Sequence, residues 1–240
     1  EISKNAGESI MKIYRTDFEV QIKKDLSPLT QADILSHKII HNSLSKMTPN
    51  IPILSEEFSN ISFDERSTWK EYWLIDPLDG TKEFVKKNGE FTTNIAFISN
   101  NKPVLGVIHS PFSNETYWGS EEGGSYFLKG DSESGVTQLK VSNNTESPLR
   151  IVSSRSHISQ DLKTLLQKLD NYELLSIGSS LKFCLIARGE ADCYPRLGPT
   201  CERDIAAGEI IARSAGADIV TLKNIPLKYN TQEEFLNPYF

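Results

Sequence analysis

Cysteine is scarce in this chain: Cys184, Cys193 and Cys201 are its only three, an odd number with no metal-ligand spacing. That excludes a disulfide scaffold and a thiolate zinc site, and it suits a reducing compartment. The three thiols are expected to be small buried hydrophobes. No apolar run approaches the roughly 18 residues of a membrane helix, and no signal peptide is visible. Surplus positive charge is lacking too. Lys and Arg number 26 against 32 Asp and Glu, a formal balance of −6, which excludes nucleic acid as a bulk electrostatic partner. Asparagine triplets at Asn60, Asn114 and Asn143 match the glycosylation pattern, but such short patterns arise by chance and need a secreted context. The expected location is the cytoplasm, with association to the inner membrane as the alternative. The chain opens at Glu1 rather than a methionine, so a short preceding piece is expected.

What is present is an ordinary globular composition, 38% hydrophobic and 24% charged over 240 residues, enough for one large domain or two small ones in close contact. Helical spacing places Ile2, Ala6, Ile10 and Ile13 on one face. Glu19 to Ile22 alternates as a short strand would. Thr30 and Asp33 have capping-box spacing before a helix expected to carry Leu35, Ile39 and Met47. On that helix, His37 and His41 are four apart, a metal-capable spacing that more often serves packing. Ile51–Leu54 reads as a buried strand ending at Glu56 and Glu57, and 60–68 as a polar loop. Thr92–Ser99 and Val104–His109 form an expected hairpin, extended by Glu115–Gly119 and Ser125–Leu128. After a polar connection over 130–146, strands and helices alternate, with a short strand expected at Ala191–Tyr194. A boundary near 148 is expected, dividing an N-terminal α/β half (1–148) from a C-terminal one (149–240).

One stretch concentrates chemistry. The apolar run Tyr72–Ile75 ends in Asp76-Pro77-Leu78-Asp79-Gly80-Thr81. Pro77 fixes its own φ and removes an amide donor, so a turn is expected just after Asp76, gathering Asp76 and Asp79 on one side. Gly80 permits close backbone approach to a ligand. Two acids followed by the amides of Gly80 and Thr81 suit a hard cation and a phosphate. Phosphate monoesters resist hydrolysis because the phosphoryl oxygens repel an already weak nucleophile. About two or three Mg²⁺ ions remedy both faults, and ions roughly 4 Å apart need a bridging carboxylate. Asp76 is the bridging candidate, Glu56 and the Leu78 carbonyl complete one ion, and Asp79 serves the next. Asp204, at the start of a later helix, is the candidate for the remaining acid; a plain helix cap is an equal reading of it. Thr81 is suited to orient the attacking water through a hydrogen bond to an acid. Asp25, from its spacing, reads as a solvated loop acid.

These segments, together with Asp25-Leu26-Ser27-Pro28-Leu29-Thr30-Gln31-Ala32-Asp33, Gly178-Ser179-Ser180-Leu181-Lys182, Tyr194-Pro195-Arg196-Leu197-Gly198-Pro199-Thr200 and Asp204-Ile205-Ala206-Ala207-Gly208, resemble the inositol monophosphatase superfamily. The resemblance is stronger to its 3′(2′),5′-bisphosphate nucleotidase branch and covers essentially the whole chain. It implies an α/β (α+β) fold, the layered α-β-α-β-α sandwich shared with fructose-1,6-bisphosphatase. It also implies Mg²⁺-dependent removal of the 3′-phosphate of adenosine 3′,5′-bisphosphate, a by-product of sulfate assimilation, with inhibition by Li⁺. Carried over by position, Glu56, Asp76, Leu78, Asp79 and Asp204 become metal ligands, and Asp25 with Thr81 the water-activating pair. Ser154, His157, Gly178, Ser179, Lys182 and Arg196 become the nucleotide contacts. The implied partner is therefore a small nucleotide bisphosphate and not nucleic acid. An inositol or fructose phosphatase is the competing reading, and a non-catalytic nucleotide-binding module the more distant one.

The resemblance breaks at one place. The family pattern has Trp-Asp where this chain has Arg203-Asp204, and a threonine where it has Ile205. A buried arginine needs a partner, expected to be Glu202 or the substrate phosphate. The substitution is accordingly expected to affect KM or substrate choice and not the dependence on Mg²⁺.

Overall fold

The computed structural model describes residues 1–22, 28–58, 61–144, 148–156 and 158–240. In chain order its elements are α1 (Ile2–Tyr14), β1 (Val20–Ile22), β2 (Pro28–Thr30), α2 (Gln31–Met47), β3 (Ile53–Ser55), α3 (Phe63–Arg66), β4 (Glu71–Asp79), α4 (Thr81–Val85), β5 (Thr92–Ser99), β6 (Lys102–Ser110), β7 (Glu115–Ser120), β8 (Gly124–Lys129), β9 (Thr137–Gln138), β10 (Leu149–Ser154), α5 (Gln160–Leu166), β11 (Tyr172–Ile177), α6 (Leu181–Ala187) and α7 (Glu202–Ser214). Strands β3 to β9 form one sheet in sequence order; β3 and β4 run parallel and the remaining neighbours antiparallel. β10 and β11 pair in parallel as a second sheet. Helices α1 and α2 cover one face of the large sheet, and α7 lies on its other face, with α6 packed between α7 and β10. The small sheet follows, with Ile151 and Leu174 packed against Leu162 and Leu166 of α5. This is the α-β-α-β-α layering, with the expected meander over 92–128 in place.

Helix α7 is seated unusually close to the large sheet. A Cβ on Gly106 of β6 would lie 2.6 Å from the Ala207 carbonyl oxygen and 2.9 Å from its Cα, and one on Gly119 of β7 would lie 3.0 Å from Ile211 Cα. Glycine at these positions lets the helix backbone rest on the strand backbone. Ile205, Ala206, Ala207, Ile210 and Ile211 are all buried there.

Sequence periodicity misplaces two helix faces. In α2 the buried residues are Ala32, Asp33, Ser36, His37, Ile40 and Leu44, whereas Met47 is 57% exposed. The inner face is part polar because it binds strand ends: the Ser36 hydroxyl donates to the Pro77 carbonyl (2.6 Å), and His37 Nδ1 meets Ser55 Oγ (2.8 Å). His37 and His41 thus serve packing, as their spacing more often means. In α1 the buried line is Ser3, Ala6, Gly7, Ile10 and Tyr14, with Ile2 and Ile13 at its margins.

Two expected loops also carry structure. α3 lies within 60–68, because buried Arg66 docks on Asn230, with the Asn230 amide donating back to the Arg66 carbonyl (2.6 Å). The 130–146 connection contributes β9. Conversely, the strand expected at Ala191–Tyr194 is a single bridge between Cys193 and Ile151. Of the cysteines, Cys184 is buried as expected, whereas Cys193 is exposed and Cys201 half-buried.

Beneath α7, burial raises the Glu209 carboxyl from its usual 4.5 to about 7, against the opposing pull of the Tyr229 hydroxyl and Arg213. The neutral acid is favoured in the fold, so its stabilisation is complete at low pH and is lost as pH rises from about 4.5 to about 7. Glu209→Gln cannot ionise. Relative to the parent protein, its stability is expected to increase by up to about 3 kcal/mol across that window, read from denaturant midpoints at each pH.

Candidate active site

The acids of the sequence motif line a single cavity of about 280 Å³, to which Glu56, Asp76, Leu78, Asp79, Gly80, Thr81 and Asp204 all contribute. Three separate elements deliver them. The parallel pairing of Ser55 with Ile75 sets the end of β3, followed by Glu56, beside Asp76. α7 brings Asp204 from the far side of the sheet.

The turn expected directly after Asp76 comes later. β4 continues through Pro77 to Asp79, and its ladder with β5 shifts between Asp76↔Asn94 and Asp79↔Thr92. Two β4 residues, Pro77 and Leu78, therefore stand opposite the single residue Thr93. This bulge accommodates the proline, which has no amide to give the ladder. Asp76 closes the bulge by accepting from the Leu78 amide (3.1 Å). The chain turns at Gly80, whose φ of +88° is left-handed, and a Cβ there would lie 3.0 Å from the Glu90 carbonyl.

Crowding of the acids shows in their protonation. Burial first, then the charges of Glu56, Asp79 and Asp204, push the Asp76 carboxyl well up, with Arg203 opposing. Asp79 is raised to about 7 by burial and Asp204, against Lys182, the Ser180 amide and Asn94. That amide donates to Asp79 Oδ2 at 2.6 Å and the Asn94 side-chain amide at 3.4 Å. Burial lowers Lys182 to about 8, although Asp79 supports its charge. An all-oxygen group in which burial and neighbouring charge raise Asp76 and Asp79 has the chemistry of a hard divalent-cation site. Among the described residues, however, no three acids, imidazoles or thiolates are already drawn into a metal-ready group.

Thr81 has its hydroxyl partners in place: Oγ1 lies 3.2 Å from Asp33 Oδ1 and 3.1 Å from the Leu78 carbonyl. Asp33 Oδ2 meanwhile accepts from the Thr30 amide and hydroxyl, both at 2.7 Å, completing the capping box of α2. Asp25 lies outside the described residues; among those described, the acid joined to Thr81 is Asp33. Its signal in the sequence was the capping box itself. A carboxylate that caps with one oxygen has a second for other work.

Asp204 divides its oxygens similarly. Oδ2 accepts from the Cys201 amide (2.9 Å) and the Thr200 hydroxyl (3.0 Å), which is the helix-capping reading, while Oδ1 lies 3.8 Å from Arg203 Nε. Arg203 does not pair with Glu202. Both Glu202 oxygens accept the Asn230 amide (2.9 and 3.0 Å) in a buried pocket. Arg203 Nη2 instead lies 3.3 Å from Glu56 Oε1. Burial works against the guanidinium charge, but Glu56 and then Asp204 hold its pKa well above the usual range. The substituted residue therefore faces the acid cluster, and its partner is Glu56 instead of the expected Glu202.

Ser154, Gly178, Ser179, Lys182 and Arg196 line the same cavity; His157 lies outside the described residues. Glu90 fixes the Gly178 turn by accepting its amide (2.8 Å) and pairing with Arg155 (2.6 and 2.7 Å). Phe183, Tyr194 and Thr200 also line the cavity, though none of the three was among the expected site residues.

A sequence model of the inositol monophosphatase family matches residues 1–238. The chain is 46% identical over 242 aligned positions to the 3′(2′),5′-bisphosphate nucleotidase CysQ of Escherichia coli strain K12, covering 100% of this chain and 96% of that protein. Among solved structures, CysQ from Bacteroides thetaiotaomicron superposes with a TM-score of 0.87 at 39% identity, covering 100% of this chain and 93% of that one. An IMPase from Thermotoga maritima gives 0.78 at 26% identity over 93% of this chain and 84% of that one. With its layers, its acid-lined cavity and full-length similarity in agreement, this chain belongs to the inositol monophosphatase family.

Proposed function

We propose that this protein is a Mg²⁺-dependent 3′(2′),5′-bisphosphate nucleotidase that converts adenosine 3′,5′-bisphosphate to AMP and phosphate. One observation carries the reading: four carboxylates and Thr81, whose hydroxyl meets the buried Asp33, open into the same cavity as Lys182 and Arg196. Glu56, Asp76, Asp79, Asp204 and the Leu78 carbonyl are the groups that would hold the metal. When bound, Mg²⁺ supplies positive charge to the phosphoryl oxygens and acidifies water.

The chain's own residues do the rest. Thr81 Oγ1 accepts a proton from the attacking water as its own proton moves to Asp33 Oδ1, 3.2 Å away. The water oxygen bonds to phosphorus, the bond from phosphorus to the 3′-oxygen breaks, and that oxygen leaves with a proton from solvent. The N-terminal amides of the α4 turn, at Gly80 and Thr81, face the departing phosphate. Lys182 and Arg196 supply cations for the nucleotide's remaining charge, and Ser154, Gly178 and Ser179 shape its seat. In this reading residues 1–148 provide most of the metal and water chemistry, and 149–240 the nucleotide contacts and the last acid. It includes Li⁺ inhibition, a part in sulfate assimilation and work in the cytoplasm. No described helix is long and apolar enough to cross a membrane.

The test is kcat/KM for adenosine 3′,5′-bisphosphate, inositol 1-phosphate and fructose 1,6-bisphosphate, each with Mg²⁺ and with chelator. The nucleotide is expected to lead by at least about 100-fold, a margin that a site with dedicated polar contacts reaches readily. A lead by either sugar phosphate would replace the substrate assignment. No release from any of the three would favour a binding module.

A further inference from the structure

We propose that Arg203 is a built-in counter-cation of the acid cluster, holding Glu56 and Asp204 in the metal-free protein and yielding them when a divalent metal binds. The inference rests on the reading of these acids as a metal site and goes beyond it, because it concerns the metal-free state and the strength of metal binding.

Geometry distinguishes this arginine from the molecule's structural ones. Arg150 grips Asp192 through two bonds of 2.6 and 3.0 Å, and Arg155 grips Glu90 at 2.6 and 2.7 Å. These are two-pronged, charge-assisted pairs with fixed direction. Arg203 has nothing comparable. Its approaches to Glu56 and Asp204 are 3.3 and 3.8 Å, each to a different carboxylate, and its buried Nε has no hydrogen-bond partner. What retains it there is the field of several acids, which acts at such distances without bond geometry. A divalent ion offers the same acids twice the charge at shorter range.

Arg203 also borders a small void of about 10 Å³, shared with Leu54, Ser55, Glu56, Leu74 and Phe235. No two-pronged bond ties its guanidinium to either acid. Arg203 and an incoming ion want the same two carboxylates, so occupation by one opposes occupation by the other.

The probe is Mn²⁺ alone, titrated by electron paramagnetic resonance and calorimetry into the full chain and its variants. Arg203→Met is expected to bind the first Mn²⁺ roughly three- to tenfold more tightly, the range for releasing a partly buried ion pair without bidentate geometry. Arg203→Lys, which keeps the charge, should remain near the parent. Without metal, Arg203→Met should melt below the parent because Glu56, Asp76 and Asp204 lose the charge of Arg203; at saturating Mn²⁺ that gap should close or reverse. Two controls separate this idea from its foundation. If Asp79→Asn weakens Mn²⁺ binding while Arg203→Met leaves it unchanged or weaker, the counter-cation role is wrong and the metal site stands. If no variant alters Mn²⁺ binding, both fall. Equal melting losses with and without Mn²⁺ would reduce Arg203 to a packing residue and overturn the proposal.

Discussion

Asp79→Asn is expected to lower kcat by roughly 10²- to 10³-fold, the usual cost of removing one electrostatic stabiliser of a developing charge, while the fold survives. Both halves come from the same surroundings. The Ser180 amide and the Asn94 side chain hold the carboxylate in place, and a carboxamide can still accept the Ser180 hydrogen through its oxygen. The substitution removes charge from a group already raised to about 7 by burial and then by Asp204, so the metal-free protein does not lose stability by it above that pH. The reaction is expected to lose, because an amide would offer a divalent cation held in this site no full negative charge. Steady-state kinetics at saturating Mg²⁺, paired with a melting curve, check both parts. Near-native kcat at saturating metal would remove Asp79 from the machinery.

Thr81→Ala and Asp33→Asn are each expected to lower kcat by roughly 10²- to 10⁴-fold, the range for a positioned proton acceptor, with Mn²⁺ binding retained. Thr81 is the cleaner test, since Asp33 also caps α2 and its loss would cost about 1 kcal/mol of stability. If the two act as one relay, the double variant should be little worse than the poorer single one. Additive losses would mean that they work separately. A silent Thr81→Ala would return the water-activating role to residues outside this pair. Asp25→Asn, measured alongside, decides between the acid indicated by family position and the one that the structure joins to Thr81.

The acid motif was legible because its chemistry is local. Asp76, Asp79 and Gly80 are consecutive enough that proline and glycine restrict how they can be arranged, and strand patterns on either side were plain. Even there the turn was expected too early, since a bulge can absorb a proline that a tight turn would otherwise be needed to explain. What escaped was residues with two functions. Asp33 reads as a helix cap and is one, so nothing in the spacing announces its second oxygen. Ser36 and His37 broke the apolar stripe of α2 because they face the carbonyl and hydroxyl of the strand ends, and a hydrophobic count takes them for an outer face. Arg203 stood out as a departure, yet its partner was sought next door in Glu202. The acid it meets, Glu56, is far away in sequence and arrives there only through β3–β4 pairing.

The seating of α7 on Gly106 and Gly119 has a consequence for how damage spreads through this molecule. Helix and strand there touch backbone to backbone, so a side chain added to either glycine has no rotamer by which to escape. The helix must lift or tilt, and Asp204 travels with it. A survey of inactivating substitutions would therefore show two clusters, one around the cavity and another on the middle strands of the sheet. The second cluster would consist of residues that meet neither nucleotide nor ion and that set the depth at which Asp204 enters the cavity.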